Sequence, residues 1–155
     1  MPTTITDYYA KDHDRLDGLF KSYQQFKRSD FPKAKEAFVG FKFGLQRHII
    51  WEEDILFPLF EKKTGMNANI GPTAVMRSEH RQIKAALEAI HAQVAKGNAS
   101  TDLDEANLFS VLYEHNVKEE KILYPAIDQS VTEAETQEIF QKMETVPRER
   151  YEQCC

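Results

Sequence analysis

The sequence predicts an all-α protein, an antiparallel up-down-up-down four-helix bundle with a short extra C-terminal helix. Three observations carry that prediction. Strand signals are nearly absent from the 155 residues. Apolar residues recur at helical spacing in four long stretches separated by short turn-forming links. The chain also repeats itself. HIIWEEDILFP at 48–58 returns as HNVKEEKILYP at 115–125, and DHDRLDGLF, which holds His13, returns as EHRQIKAAL, which holds His80. Both pairs are 67 residues apart, so the first two helices match the last two as similar hairpins.

Each element follows from local pattern. A first helix over about 6–28 carries Tyr9, His13, Leu16, Phe20 and Tyr23 on one stripe. SDFP at 29–32 closes it and opens the next, with Asp30 as N-cap and proline tolerated in the first turn. The second helix reaches about Glu61, with Phe41, Leu45, His48, Glu52, Ile55 and Leu59 facing inward, and Pro58 marks a kink or its approaching end. TGMNANIGP at 64–72 is a loop. The third helix, about 73–96, aligns Met76, His80, Ile83, Leu87, Ile90 and Val94 and ends at Gly97 and Asn98. The fourth aligns Leu108, Leu112, His115, Glu119, Ile122 and Ala126. A fifth, about 132–145, follows a capping box of Ser130 with Glu133.

Bulk numbers bound the function. The length suits one domain, read as 1–150 with a flexible tail at 151–155. The net charge of −5 and the lack of a basic block argue against a nucleic-acid partner. No apolar run reaches the roughly 18 residues of a membrane span, and the N-terminus lacks the pattern of a signal peptide, so the expected location is cytoplasmic. The only cysteines, Cys154 and Cys155, are adjacent at the terminus and cannot staple the fold.

The chemistry sits in the repeat. Residues four apart share a helix face, so His48 projects with Glu52 and His115 with Glu119, both on apolar stripes. His13 and His80 lie on the stripes of the other two helices. The interior therefore collects four imidazoles and two carboxylates. Unpaired buried charge is expensive, and a metal ion removes the difficulty, because imidazole nitrogens and carboxylate oxygens are its ligands. Glu53 and Glu120 fall about 100° off the stripe and read as solvated or as supporting groups. Asp17, four residues after His13, is a minor candidate for the same cluster, and Tyr9, one turn before His13, is a candidate hydrogen-bonding neighbour of the site. His91 lies roughly 16 Å along its helix from His80, too far to share a site. The paired E-x-x-H of ferritin-like di-iron bundles, H-E-x-x-H and cysteine-based metal patterns are all missing.

The order H…H-x-x-x-E…H…H-x-x-x-E, with its E-x-[I/L]-L-[F/Y]-P tails, resembles the hemerythrin-like (HHE cation-binding) domain family over roughly residues 5–128. The resemblance implies a four-helix bundle around two iron ions with an oxo or hydroxo bridge. It makes His13, His48, His80 and His115 terminal ligands, and Glu52 and Glu119 bridging carboxylates. The oxygen-carrying hemerythrins of marine invertebrates have a further histidine one turn after the third-helix histidine, where this chain has Lys84. They also have an aspartate at longer spacing, where this chain has Glu119. One ligand fewer leaves about two open positions, which favours O2, peroxide or nitric oxide reacting at the centre over reversible carriage. A catalase-like peroxide decomposition is the enzymatic form of that expectation. Iron or oxygen sensing, or iron storage without turnover, is the alternative.

Overall fold

A computed structural model describes residues 2–152. Its elements are α1 (Ile5–Phe26), α2 (Phe31–Trp51), a π turn (Glu52–Leu56), α3 (Phe57–Thr64), α4 (Pro72–Ala95), α5 (Asp102–Lys118), a second π turn (Glu119–Leu123), α6 (Tyr124–Ser130), α7 (Glu133–Thr145) and α8 (Arg148–Glu152). The chain passes from α2 through its π turn into α3 without a break, and likewise from α5 into α6, so four long rods make the bundle. α1 packs on α2, α4 on α5, and α6 returns to α1 and α3. Contacts run in opposite senses along the rods: Tyr23 meets Phe38 and Phe20 meets Phe41, while the N-terminus of α1 meets Asp128 and its C-terminus meets Glu105. This is the predicted up-down-up-down arrangement.

Termini are capped as the residues dictate. Thr4 accepts from the Asp7 amide, and Asp30 from the Lys33 amide with Phe31 and Pro32 opening α2. Asp128 reaches across from α6 to accept from the amides of Ile5 (2.8 Å) and Thr6 (3.1 Å) and from the Thr6 hydroxyl (2.6 Å). Gly65 ends α3 in the left-handed region at φ 71°. Gly44 lies where α1 and α2 come closest, since a Cβ there would stand 2.6 Å from Leu16 Cδ2. The capping box of α7 uses Thr132 and Glu135, two residues later than expected; Ser130 instead donates to the Ala126 carbonyl.

The two π turns correct the inner stripes. Pro58 and Pro125 have no amide hydrogen, and in a regular helix each ring would strike the carbonyl four residues back. In both rods the residue before the proline reaches back five residues instead: Phe57 N–H to Glu52 O, and Tyr124 N–H to Glu119 O. One residue is thereby inserted into the register. The buried positions after each glutamate become Leu56, Phe57 and Phe60, and Leu123, Tyr124 and Ile127. Ile55, Leu59 and Ala126 are only partly buried, and Ile122 is 65% exposed.

Two apolar clusters fill the bundle. One includes Tyr9, Leu56, Phe57, Leu123, Tyr124 and Ile127 and is closed by Ile139 and Met143 of α7 and Tyr151 of α8. The other includes Leu16, Phe20, Phe41, Ile83, Leu87 and Leu112. Tyr151, placed in the tail by sequence, is buried, and its hydroxyl accepts from Trp51 Nε1 at 2.7 Å. Cys154 and Cys155 lie outside the described residues.

Replacing Asp128 by alanine removes the acceptor for two amides at the head of α1. Urea or thermal denaturation should show a loss of about 1–2 kcal/mol, or roughly 2–4 °C in melting temperature for each kcal/mol at this chain length.

Candidate metal centre

The layer between the two apolar clusters is polar. His13 enters it from α1 and His80 from α4; His48 enters with Glu52 from the end of α2, and His115 with Glu119 from the end of α5. None of the six is more than 3% exposed. The structure thus brings together all six residues singled out by sequence. Their ligand atoms form two groups, each within 4.8 Å: Glu52, His80, His115 and Glu119, and His13, His48 and Glu119. Glu119 belongs to both.

The imidazole Nε2 atoms face inward. His115 Nε2 and His13 Nε2 stand 3.1 and 3.3 Å from Glu119 Oε1. His80 Nε2 stands 3.1 Å from Glu52 Oε1, and His48 Nε2 3.7 Å from Glu52 Oε2. These are close approaches without full hydrogen-bond geometry: Glu52 Oε1, both Glu119 oxygens and His80 Nε2 have no hydrogen-bond partner. Four orphaned polar atoms in one buried layer would cost the chain several kcal/mol, at about 1–3 kcal/mol each. Nitrogen and oxygen lone pairs converging on common points fit a cation, which satisfies all of them at once.

The opposite ring nitrogen of each histidine is held by a carboxylate. Asp12 Oδ2 lies 2.9 Å from His48 Nδ1 and Glu79 Oε1 2.9 Å from His115 Nδ1, each pair 36 residues apart. Glu53 Oε2 lies 2.6 Å from His80 Nδ1, and Glu120 Oε2 2.8 Å from His13 Nδ1. A carboxylate at Nδ1 keeps a proton there, so that a cation displacing any proton on Nε2 meets a lone pair aimed into the layer. The scheme is crosswise, since each E-E pair backs the lone histidine of the other hairpin. Glu53 and Glu120 are therefore supports rather than solvated side chains. Asp12 and Glu79 were missed by the sequence reading, although an acid directly precedes each lone histidine at the same 67-residue offset. Asp17 belongs to neither ligand-atom group. His91 sits apart, half-exposed, with Nδ1 3.2 Å from Glu88.

Tyr124 was also missed. Its hydroxyl donates to Glu52 Oε2 at 2.6 Å and lies 3.1 Å from His48 Nε2 and 3.4 Å from His13 Nε2. Its counterpart 67 residues earlier is Phe57, which stacks on His80 at 5.9 Å. Tyr9, the expected hydrogen-bonding neighbour, packs against the rings of His48 and Tyr124 and directs its hydroxyl to Met143 Sδ instead.

Electrostatics follow from this packing. Burial alone would lower the His13 pKa, but Glu119 and Glu120 hold it at about 10. His80 is held at about 9 against burial by Glu52 and Glu53. Burial, and then the charge of Glu119, push Glu52 up to about 7. Glu119 goes the other way despite its burial, held well below the usual carboxylate range by His115, Glu52 and His13. Of the two central carboxylates, Glu119 is the more readily ionised.

Residues 4–147 match the family model described as the hemerythrin HHE cation-binding domain. An uncharacterized hemerythrin-like protein of Schizosaccharomyces pombe (strain 972) is 30% identical over 136 residues, which is 86% of this chain and 64% of that relative. The chain thus spans 64% of the length of the curated relative it matches. No solved structure matches it.

A cation at the Nε2 atoms must displace the protons that His13 and His80 carry at neutral pH, since both pKa values lie above 7. Metal uptake at pH 7.5 should release about two protons per chain in weakly buffered solution, and affinity should fall as the pH is lowered. Uptake without proton release would contradict these protonation states.

Proposed function

The chain belongs to the hemerythrin HHE cation-binding family, and on that footing we propose that it is a non-heme di-iron protein whose centre binds O2 and reacts with peroxide or nitric oxide. His13 and His48 would hold one iron, His80 and His115 the other, and Glu52 and Glu119 would bridge them. The observation that carries this reading is the pair of ligand-atom groups sharing Glu119. A shared carboxylate between two histidine pairs suits two metal ions better than one. Bound iron supplies one-electron redox chemistry and open positions for a small molecule.

The chain's own residues do the rest. Asp12, Glu53, Glu79 and Glu120 fix the imidazole tautomers and raise ligand basicity. Tyr124 holds a proton within reach of Glu52 and of the two imidazoles of the first hairpin. Burial pushes its phenol pKa well above the ordinary value, so that proton stays in place at neutral pH and is available to an oxygen atom arriving there. The apolar clusters on either side keep bulk water from the layer.

A second reading is favoured by the cost of the layer without a cation. If binding free energy is also folding free energy, occupancy would order the bundle and report iron or oxygen without turnover. Anaerobic loading with ferrous iron should give about two irons per chain; a chain that takes up none overturns both readings. Oxygen evolution on adding peroxide supports reaction, whereas an inert centre whose removal lowers the melting temperature supports sensing. Changing Glu120 to glutamine should weaken iron binding about 10- to 100-fold, measured by chelator competition. A His48→Ala chain that keeps both irons would overturn the ligand assignment.

A further inference from the structure

We propose that the groove between α1 and α5 binds a primary alkylammonium group beside Asp17, the position that matches Lys84 in the other hairpin. The two hairpins correspond position by position at the 67-residue offset. Glu53 and Glu120 are equivalent, and each holds a histidine Nδ1, at 2.6 and 2.8 Å. Their surroundings are not equivalent. Lys84 and Arg77 stand near enough to Glu53 to help hold its carboxyl down. The same seam is closed further along by the Lys42–Glu88 ion pair at 3.2 Å. Around Glu120 the corresponding positions carry Asp17 in place of Lys84 and Ala10 in place of Arg77. Phe109 replaces Lys42, and Lys21 replaces Glu88. The half of the molecule that holds Glu120 therefore lacks the cations that accompany Glu53.

What stands there instead is a cavity of about 370 Å³. Asp17 and Glu120 line it together with Phe20, Phe109, Leu112 and Tyr113. Asp17 has no hydrogen-bond or ion-pair partner among the described residues. Two other lysines are nearby: Lys21 lies one turn beyond Asp17, and Lys121 lines the rim. Neither forms an ion pair with Asp17 or Glu120. Asp17 is exposed at the groove; partial desolvation, with the Asp14 and Glu120 carboxylates, raises its carboxyl against the opposing charges of His13 and Lys21. The volume is at the small end of sites for organic molecules. Two carboxylates call for a cation, and the aromatic and aliphatic walls call for an alkyl body. A lysine side chain joins those two chemistries, a compact ammonium on an apolar stem, and Lys84 occupies the matching position across the bundle. Lys121 is exposed and adjoins Glu120, so an anion there would meet that carboxylate beside the lysine. The inference rests on the surroundings of Asp17 and Glu120 and does not depend on which metal the centre holds.

The test is calorimetric titration of the full chain, metal-loaded, with n-pentylammonium chloride, pentan-1-ol and sodium pentanoate at constant ionic strength. The ammonium compound should saturate a single site at least about tenfold more tightly than the alcohol, the margin of a charge-assisted over a neutral hydrogen bond. Pentanoate should not saturate. Asp17→Lys, which copies position 84, should abolish ammonium binding, with unchanged helix content by circular dichroism. Asp17→Asn should weaken it about tenfold. Equal binding of alcohol and ammonium, or undiminished binding by both Asp17 variants, would overturn the proposal.

Discussion

The structure is organised around one electrostatic problem, the burial of Glu52, Glu119 and four imidazoles in a layer that water does not reach. Each of these groups would be costly alone. The fold meets part of that cost with protein groups, giving every imidazole a carboxylate at Nδ1 and giving Glu52 the Tyr124 hydroxyl. It leaves the inward-facing atoms of Glu52, Glu119 and His80 unsatisfied. That division of labour separates a metal centre from a buried polar network that closes on itself. Lys27, Glu105 and Thr101 at the far end of α1 form a network of the closed kind, with Lys27 answering Glu105 and also reaching the exposed Asp102.

Proline sets the geometry of that layer. In both long rods the glutamate that faces the centre is the first residue of a π turn, and the turn exists because a proline six residues on has no amide to donate. The extra residue re-aims everything after it. It turns Phe57 onto His80 and brings the Tyr124 hydroxyl onto Glu52. The E-E-x-I-L-[F/Y]-P tail is thus a geometric instruction as well as a packing motif: its first glutamate faces the centre, its second backs a histidine of the other hairpin, and its proline makes the turn.

Much of this was legible in the sequence, for identifiable reasons. Four helical rods, two hairpins and six inward-facing side chains follow from period, spacing and repeat, and these are properties of an undistorted helix. The reading failed where the helix departs from that ideal. Ile55, Leu59, Ile122 and Ala126 continue a perfect 3.6-residue stripe, but the π turns move the buried positions on by one. Glu53 and Glu120 look outward-facing on a helical wheel because a wheel shows one helix at a time, and their histidines lie on another rod. Asp12 and Glu79 were hidden by the same limitation, although the repeat itself marks them. Tyr124 was overlooked because its counterpart is Phe57, and the pair read as interchangeable packing.

That last difference shows how the molecule departs from its own symmetry. The repeat supplies two equivalent halves, and equivalent halves would build two equivalent metal positions. A single hydroxyl, Tyr124 against Phe57, gives the His13–His48 half a proton donor that the His80–His115 half lacks. The replacement of Lys84 by Asp17 and of Arg77 by Ala10 makes the outer surroundings unequal in the same direction. The hydroxyl, the α1–α5 cavity and the unpaired Asp17 carboxylate all fall on the side of His13. The opposite side carries Phe57, Lys84, Arg77 and the Lys42–Glu88 pair, all of which fill space or neutralise charge. A duplicated hairpin thus yields one half closed by its own side chains and one half that carries an open cavity.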